Sequence, residues 1–177
     1  MIHFIRMAPQ EMKDVAGQLE SAREELILVV SGLSDERART RPAPDRWSVL
    51  ECLEHVSFVE RRFLGMVKAS EAGTPAARDA AKEAALETRV VDRSNRRNAP
   101  EAVHPTGKHG SVAEALRDFN AARDETLQFA SEQGPNLLSR SASHPVLGPL
   151  NGVEALLLIA GHGRRHTEQM REAAQGR

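Results

Sequence analysis

Four stretches of the chain repeat apolar residues at three- and four-residue intervals, the spacing that lines one face of an α-helix. In the first, Met12, Val15, Leu19, Ala22, Leu26, Val29 and Leu33 make one stripe, opened by Pro9 and closed by Gly32 and Ser34-Asp35. Proline suits a first helical turn, where its missing N–H is not needed. The second stripe runs through Val49, Cys52, Val56, Val59, Phe63 and Met66, widened by Leu50 and Leu53. Ser48 with Glu51 ahead of it is a capping-box pair, and the stripe breaks near Ala72-Gly73-Thr74-Pro75. Ser111 with Glu114 repeats that signal before Val112, Leu116, Phe119, Thr126, Leu127 and Ala130, and Gly134-Pro135 ends the segment. Asn151 with Glu154 opens the fourth, through Val153, Leu156, Leu157, Ala160 and Met170.

The connections differ in character. Arg39 to Arg46 holds Pro42 and Pro44, which keep their neighbours out of the helical region. Residues 73 to 110 are longer and less regular: Ala76 to Val91 is alanine-rich with weak amphipathicity, and Asn98 to Gly110 reads as loop. A long connection among short ones is what one overhand crossing requires, and such a loop is also where a lid or substrate wall would lie. No strand-like alternation competes. The pattern therefore predicts an all-α fold, an antiparallel four-helix bundle with a long crossover between helices 2 and 3, as one domain spanning residues 1–177.

Composition narrows the function classes. A chain of 177 residues can bury its own core. With 24 basic and 25 acidic residues intermixed, net charge −1, it offers no broad field for nucleic acid or an anionic membrane. Arg93, Arg96 and Arg97 gather together, but no aromatic residues interleave for base stacking, so they read as a solvated segment. Met1 to Met7 lacks the apolar core of a signal peptide, and the apolar runs Leu26 to Val30 and Ala155 to Ala160 are too short to cross a bilayer. The lone Cys52 excludes an intrachain disulfide and suits a reducing compartment, so a cytoplasmic protein is expected. Cys52 sits in an apolar stripe and reads first as a buried structural thiol, with a nucleophile or fourth ligand as the alternative.

The chemistry concentrates in histidines. His162 and His166 are four residues apart in the last stripe, so both rings share one helix face. His55 lies in the apolar arc of the second stripe beside Cys52, Val56 and Val59. Packed helix axes are about 8–10 Å apart, a gap that three imidazoles can bridge to meet one divalent ion while leaving a coordination position open. Gly161 and Gly163 flank His162, either for close helix packing or to leave room for a ligand. His144 precedes Pro145 in a loop before the last helix; a loop-ordering hydrogen bond is the expected role, with a place over the metal pocket, as a ligand, the alternative. His104 and His109 are expected to be solvated, and His3 lies near a terminus.

The segment Trp47-Ser48-Val49-Leu50-Glu51-Cys52-Leu53-Glu54-His55, together with His162-Gly163-Arg164-Arg165-His166-Thr167-Glu168-Gln169, resembles the DinB-like superfamily. Asp92-Arg93-Ser94, Ala99-Pro100-Glu101, Pro105-Thr106-Gly107 and His144-Pro145-Val146-Leu147-Gly148 are similar to one branch of it. The resemblance runs from about residue 10 to the end, and the two histidine motifs are its most specific part. It implies a four-helix bundle, often dimeric, that binds zinc, nickel or a similar ion through His55, His162 and His166. Members include metal-dependent hydrolases and transferases that use bacillithiol or mycothiol. An open position on a three-histidine ion can turn water into a hydroxide nucleophile or bind a thiol as thiolate. The resemblance favours a low-molecular-weight thiol as cosubstrate for a small-molecule electrophile, with no protein cysteine needed. Gln169 is placed to orient a neighbouring group; Arg165 is read either as a clamp for a substrate carboxylate or as a surface ion pair. Glu54 and Glu168 adjoin the histidines in sequence but diverge from them by about 100° around the helix, and Trp47 reads as a packing residue. A metal- or ligand-binding stress protein without turnover, and a dimerising structural bundle, are the alternative classes.

Overall fold

A computed structural model describes residues 9–94 and 99–177, with side-chain surroundings from residue 14 onward. His3, Arg96, Arg97 and the side chain of Met12 fall outside that range. Four long helices form the bundle: α1 (Pro9–Val30), α3 (Val49–Ala69), α5 (Val112–Gln133) and α6 (Gly152–Ala174). A short α2 (Asp35–Arg39) lies in the first connection and α4 (Ala80–Val91) in the crossover.

Capping decides where the helices begin. Ser48 accepts from the Glu51 amide while the Glu51 side chain accepts from the Ser48 amide, and Asn151 and Glu154 do the same at α6. Each such pair satisfies two donors that a helix N-terminus leaves orphaned. At α5 only half the box forms: Ser111 caps the Glu114 amide, but the Glu114 carboxylate accepts from Gly110.

The buried residues fall into two clusters that fix the direction of every helix. One joins Val15 and Leu19 with Leu64 and Val67, Phe129 and Ala130, and Val153 and Leu156. The other joins Leu26 and Val30 with Val49 and Cys52, Ala115 and Phe119, and Met170 and Ala173. Thus α1 and α6 run from the first cluster to the second, while α3 and α5 run the other way. The helices pack α1 on α6, α6 on α3, α3 on α5 and α5 on α1. α1 and α3 therefore stand at opposite corners. Because α3 and α5 run in the same direction, the chain must travel back the length of the bundle between them, which is why the crossover is long. On that return α4 packs on α6, with Leu86 buried. Gly161 permits the approach, since a Cβ there would come 3.2 Å from Val90 Cγ1. Flanked by α1, α3 and α4, α6 is buried around most of its circumference.

An ion pair crosses the core. The Arg123 guanidinium donates to both Glu60 oxygens, at 2.8 and 2.9 Å, and to the Leu19 carbonyl, while Thr126 donates to Glu60 at 2.8 Å. Its side chains are 0% and 1% exposed, so α1, α3 and α5 are stitched together at a point where any missing partner would leave a buried charge.

Two features depart from the sequence expectation. The absence of strands was overturned: β1 (Ser141–His144) and β2 (Gly148–Asn151) form an antiparallel hairpin, Ser141 facing Asn151 and His144 facing Gly148. Each strand has only four residues and β2 contains Pro149, too short and too interrupted for alternation to register. The Ser34-Asp35 pair, expected to close the first helix, instead opens α2, because the Ser34 side chain caps it. Among the described residues, no helix is long and apolar enough to cross a membrane.

Candidate metal centre

α3 and α6 meet where His55 faces His162 and His166. One ring nitrogen from each lies within 4.8 Å of the others. His55 Nε2 is 3.3 Å from His162 Nε2, and ring centroids are 4.5 Å apart for His162–His166 and 4.6 Å for His55–His166. Two nitrogens bound at about 2.0–2.1 Å to a tetrahedral ion are separated by roughly 3.3–3.4 Å, so the His55–His162 spacing is already that of a metal-bound pair. Without an ion, His162 Nε2–H donates to His55 Nε2 across this distance; a shared cation would take the place of that proton. His166 Nδ1 is buried without a hydrogen-bond partner. Gln169, one turn on, lies close enough to His166 to oppose the lowering of its pKa yet does not meet that atom in hydrogen-bonding geometry. The donor set fits a divalent ion: three imidazoles, one orphaned nitrogen and no competing carboxylate in the cluster.

Electrostatics keep the rings neutral. Burial pushes His55 below its ordinary value, with His104 adding to it and the Val103 carbonyl opposing it. Burial, then His55, Arg165 and His144, pull His162 down to about 3. Burial, His162 and His55 hold His166 well below the usual imidazole range. Neutral imidazole is the ligating form.

The orientation of His55 comes from the crossover. Its Nδ1 lies 2.7 Å from the Val103 carbonyl oxygen, an acceptor only, so Nδ1 carries the proton and Nε2 presents its lone pair to His162. Val103 closes a short 3₁₀ turn, Glu101–Val103. The loop after it is held by Glu54, whose carboxylate accepts from the Thr106 amide and hydroxyl at 2.8 and 2.7 Å, and from the Gly107 and Lys108 amides at 2.9 and 3.1 Å. Burial raises the Glu54 pKa, but the Thr106, Lys108 and Gly107 donors outweigh it and hold the carboxyl below its ordinary value. Trp47 closes another side: its ring is 4.7 Å from His55, 6.1 Å from His166 in a stacked arrangement, and 5.8 Å edge-on to His104. Nothing in the one-dimensional spacing pointed to Val103 or to the Glu54 loop anchor. The Trp47 position just before the capping box was the available clue.

The remaining candidates separate cleanly. Arg165 donates to the Val90 and Asp92 carbonyls at the end of α4, tying α4 to α6. Glu168 meets Arg171 on the surface. Cys52 is buried, and burial together with Glu51 drives its thiol up to about 12, which makes it an inert packing group. His104 is exposed, as expected, with Nε2 on the Ala99 carbonyl. His109, expected to be solvated, is instead half-buried against Asp118 at 3.2 Å. His144 accepts from the Val146 and Leu147 amides, the loop-ordering bond the sequence suggested. A small pocket of about 30 Å³ adjoins His162, lined by Val56, Val59, Phe63, His144, Leu158 and Ile159 with Glu60 behind them. That is room for about two waters.

Residues 18–170 match the model of the DinB superfamily. Over 151 residues the chain is 28% identical to the uncharacterized protein YuaE of Bacillus subtilis (strain 168), covering 85% of this chain and 91% of that protein. Its fold is similar to that of YfiT from Bacillus subtilis, described as a probable metal-dependent hydrolase with an unusual four-helix bundle topology. The TM-score is 0.62 at 14% identity, over 99% of this chain and 92% of that one.

Proposed function

The chain belongs to the DinB superfamily, and from that premise we propose that it is a metal-dependent enzyme, with His55, His162 and His166 holding a divalent ion, zinc or nickel, that activates water or a low-molecular-weight thiol. The observation that carries this reading is the 3.3 Å separation of two imidazole Nε2 atoms, one of them with its tautomer fixed by a backbone carbonyl. A bound ion would supply Lewis acidity, lowering the pKa of water or of a thiol toward neutrality.

The chain's own residues perform the rest. Val103 orients His55, and Glu54 holds the loop that carries Val103. Trp47 shields the cluster from water on one side, while the small apolar pocket beside His162 receives a short apolar end of the reacting molecule on another. Arg165 keeps α4 against α6; Gln169, one turn beyond His166, is the side chain placed to orient that ring once an ion is held. Hydrolysis and thiol transfer both use these parts. The thiol version, S-transfer to a small electrophile, is favoured by the family resemblance; buried Cys52, with its raised pKa, suits either version, since it leaves the nucleophile, water or thiol, to come from outside.

Binding without turnover is the second reading. It is favoured by the carboxylates nearest the cluster, since both Glu54 oxygens serve the loop and both Glu60 oxygens serve Arg123 and Thr126. The test is elemental analysis of untagged protein, followed by ester hydrolysis and by conjugation of an electrophile with bacillithiol, mycothiol or glutathione, each with and without chelator. Stoichiometric metal and chelator-sensitive turnover support the enzyme. Metal without turnover in any arm supports the binding protein. A His162→Ala variant that keeps its metal defeats both.

A further inference from the structure

His144 does two things at once. Its Nδ1 accepts from the Val146 and Leu147 amides, both at 3.1 Å, across the turn of the hairpin. Its ring lies 5.6 Å from Phe63 at an interplanar angle of 19° and forms part of the wall of the pocket next to His162. A nitrogen that accepts two hydrogen bonds carries no proton, so the neutral ring must bear it on Nε2. The two ring nitrogens point away from each other, which aims Nε2–H away from the turn. Among the described residues it meets no acceptor, and it is not sealed from water.

Of the other lining residues, only His162 has a ring nitrogen to offer, and it belongs to the three-histidine cluster. Val56, Val59, Phe63, Leu158 and Ile159 are apolar, and the Glu60 oxygens already accept from Arg123 and Thr126. Away from that cluster, one fixed donor at the wall of a small apolar cleft is a recognition element. We propose that His144 is a substrate-binding residue, donating through Nε2–H to a carbonyl or carboxylate oxygen of a small ligand whose short apolar part lies against Val56, Phe63 and Ile159. This rests on the reading of the three-histidine cluster as the reacting centre. It narrows the substrate class to compact molecules that pair an oxygen acceptor with two or three carbons.

Side-chain replacement can split the two roles of His144. Asparagine places an oxygen near the position of Nδ1 and keeps the turn acceptor, but it lacks the distal donor. Glutamine reaches the position of Nε2 and keeps a donor. The probe is propionate, titrated by NMR into zinc-loaded and metal-free protein with histidine ring nitrogens labelled. The expected result is an Nε2–H signature for His144 that shifts on titration. In His144→Asn, propionate affinity falls about tenfold, the loss of one hydrogen bond, while the Val146 and Leu147 amide signals stay in place. In His144→Gln, affinity stays within about threefold of wild type. Equal affinity in wild type and His144→Asn, or a His144 ring that does not respond to propionate, overturns the assignment. Zinc content, measured in parallel, keeps the two readings apart. Protein that retains no zinc yet discriminates between the variants refutes the metal site alone; protein that retains zinc and does not discriminate refutes the role of His144 alone.

Discussion

Glu54→Gln tests how the crossover governs the histidine cluster. The native carboxylate takes four hydrogen bonds, two on each oxygen, from the Thr106 amide and hydroxyl and the Gly107 and Lys108 amides. Glutamine keeps one acceptor oxygen, and its NH2 can be met only by the Thr106 hydroxyl, since the Thr106, Gly107 and Lys108 amides only donate. One or two bonds are lost, and the negative charge with them. At roughly 1–1.5 kcal/mol per bond, the loop should lose about 1–3 kcal/mol of local stability. The Val103 carbonyl sits on the same loop, so His55 should lose its fixed tautomer, and groups that orient ligands in this way are worth about 10–100-fold in metal affinity. Hydrogen exchange at Thr106, Gly107 and Lys108 reads the first effect; zinc competition against a chromophoric chelator reads the second. Unchanged protection at those amides with zinc affinity within twofold of wild type would refute the coupling. Acid should act in the same direction. The folded Glu54 pKa lies below the ordinary carboxylate value, so its stabilising contribution is present above the unfolded pKa and disappears as pH falls through the folded one.

Four further outcomes are expected. His162→Ala should lose its metal while far-ultraviolet circular dichroism stays near wild type, and metal retained at wild-type stoichiometry would contradict the assignment. Metal-free protein should lose stability as pH falls from about 6.5, where unfolded histidines protonate, toward about 3, where folded His162 does; urea midpoints should show it, and a slope unaltered in His166→Leu would place the cause elsewhere. Gly152→Ala would set a Cβ 2.4 Å from the Leu137 carbonyl oxygen, an overlap that only backbone movement relieves, at a cost of about 1–3 kcal/mol; an unchanged melting temperature would argue against that contact. Glu60→Ala should cost about 3–5 kcal/mol by stranding buried Arg123, whereas the double replacement Glu60→Leu with Arg123→Met should recover most of it. Equal denaturation midpoints for the single and double variants would show that the pair is not coupled.

The helices were legible because each carries its own signal. The Val15, Leu19, Ala22 and Leu26 stripe is buried, and the serine and asparagine pairs at α3 and α6 form both arms of their boxes. The convergence of His55 with His162 and His166 was legible for a related reason, since each histidine lies on the edge of an apolar stripe that must face the core. What escaped depends on partners far away in the chain. Whether Glu54 is a base, a surface charge or an anchor is decided by residues 52 to 54 positions further on. Whether Gly161 serves packing or ligand space depends on Val90, far earlier in the chain, which packs against it. His109 turned inward because Asp118, nine residues later, lies on the neighbouring helix turn. The hairpin escaped for want of length.

The group that aims His55 is a main-chain oxygen, and a main-chain oxygen has no codon. Any amino acid at position 103 provides one, so a scan of single substitutions there would register little and the position would pass for filler. Changing the number of residues between Pro100 and Lys108 is another matter. One residue removed or added slides a different carbonyl into register, or none at all, and lengthens or shortens the tether to Glu54. The integrity of this centre is thus written partly in loop length rather than in residue identity, and deletions, not replacements, are the lesions to which it is most exposed.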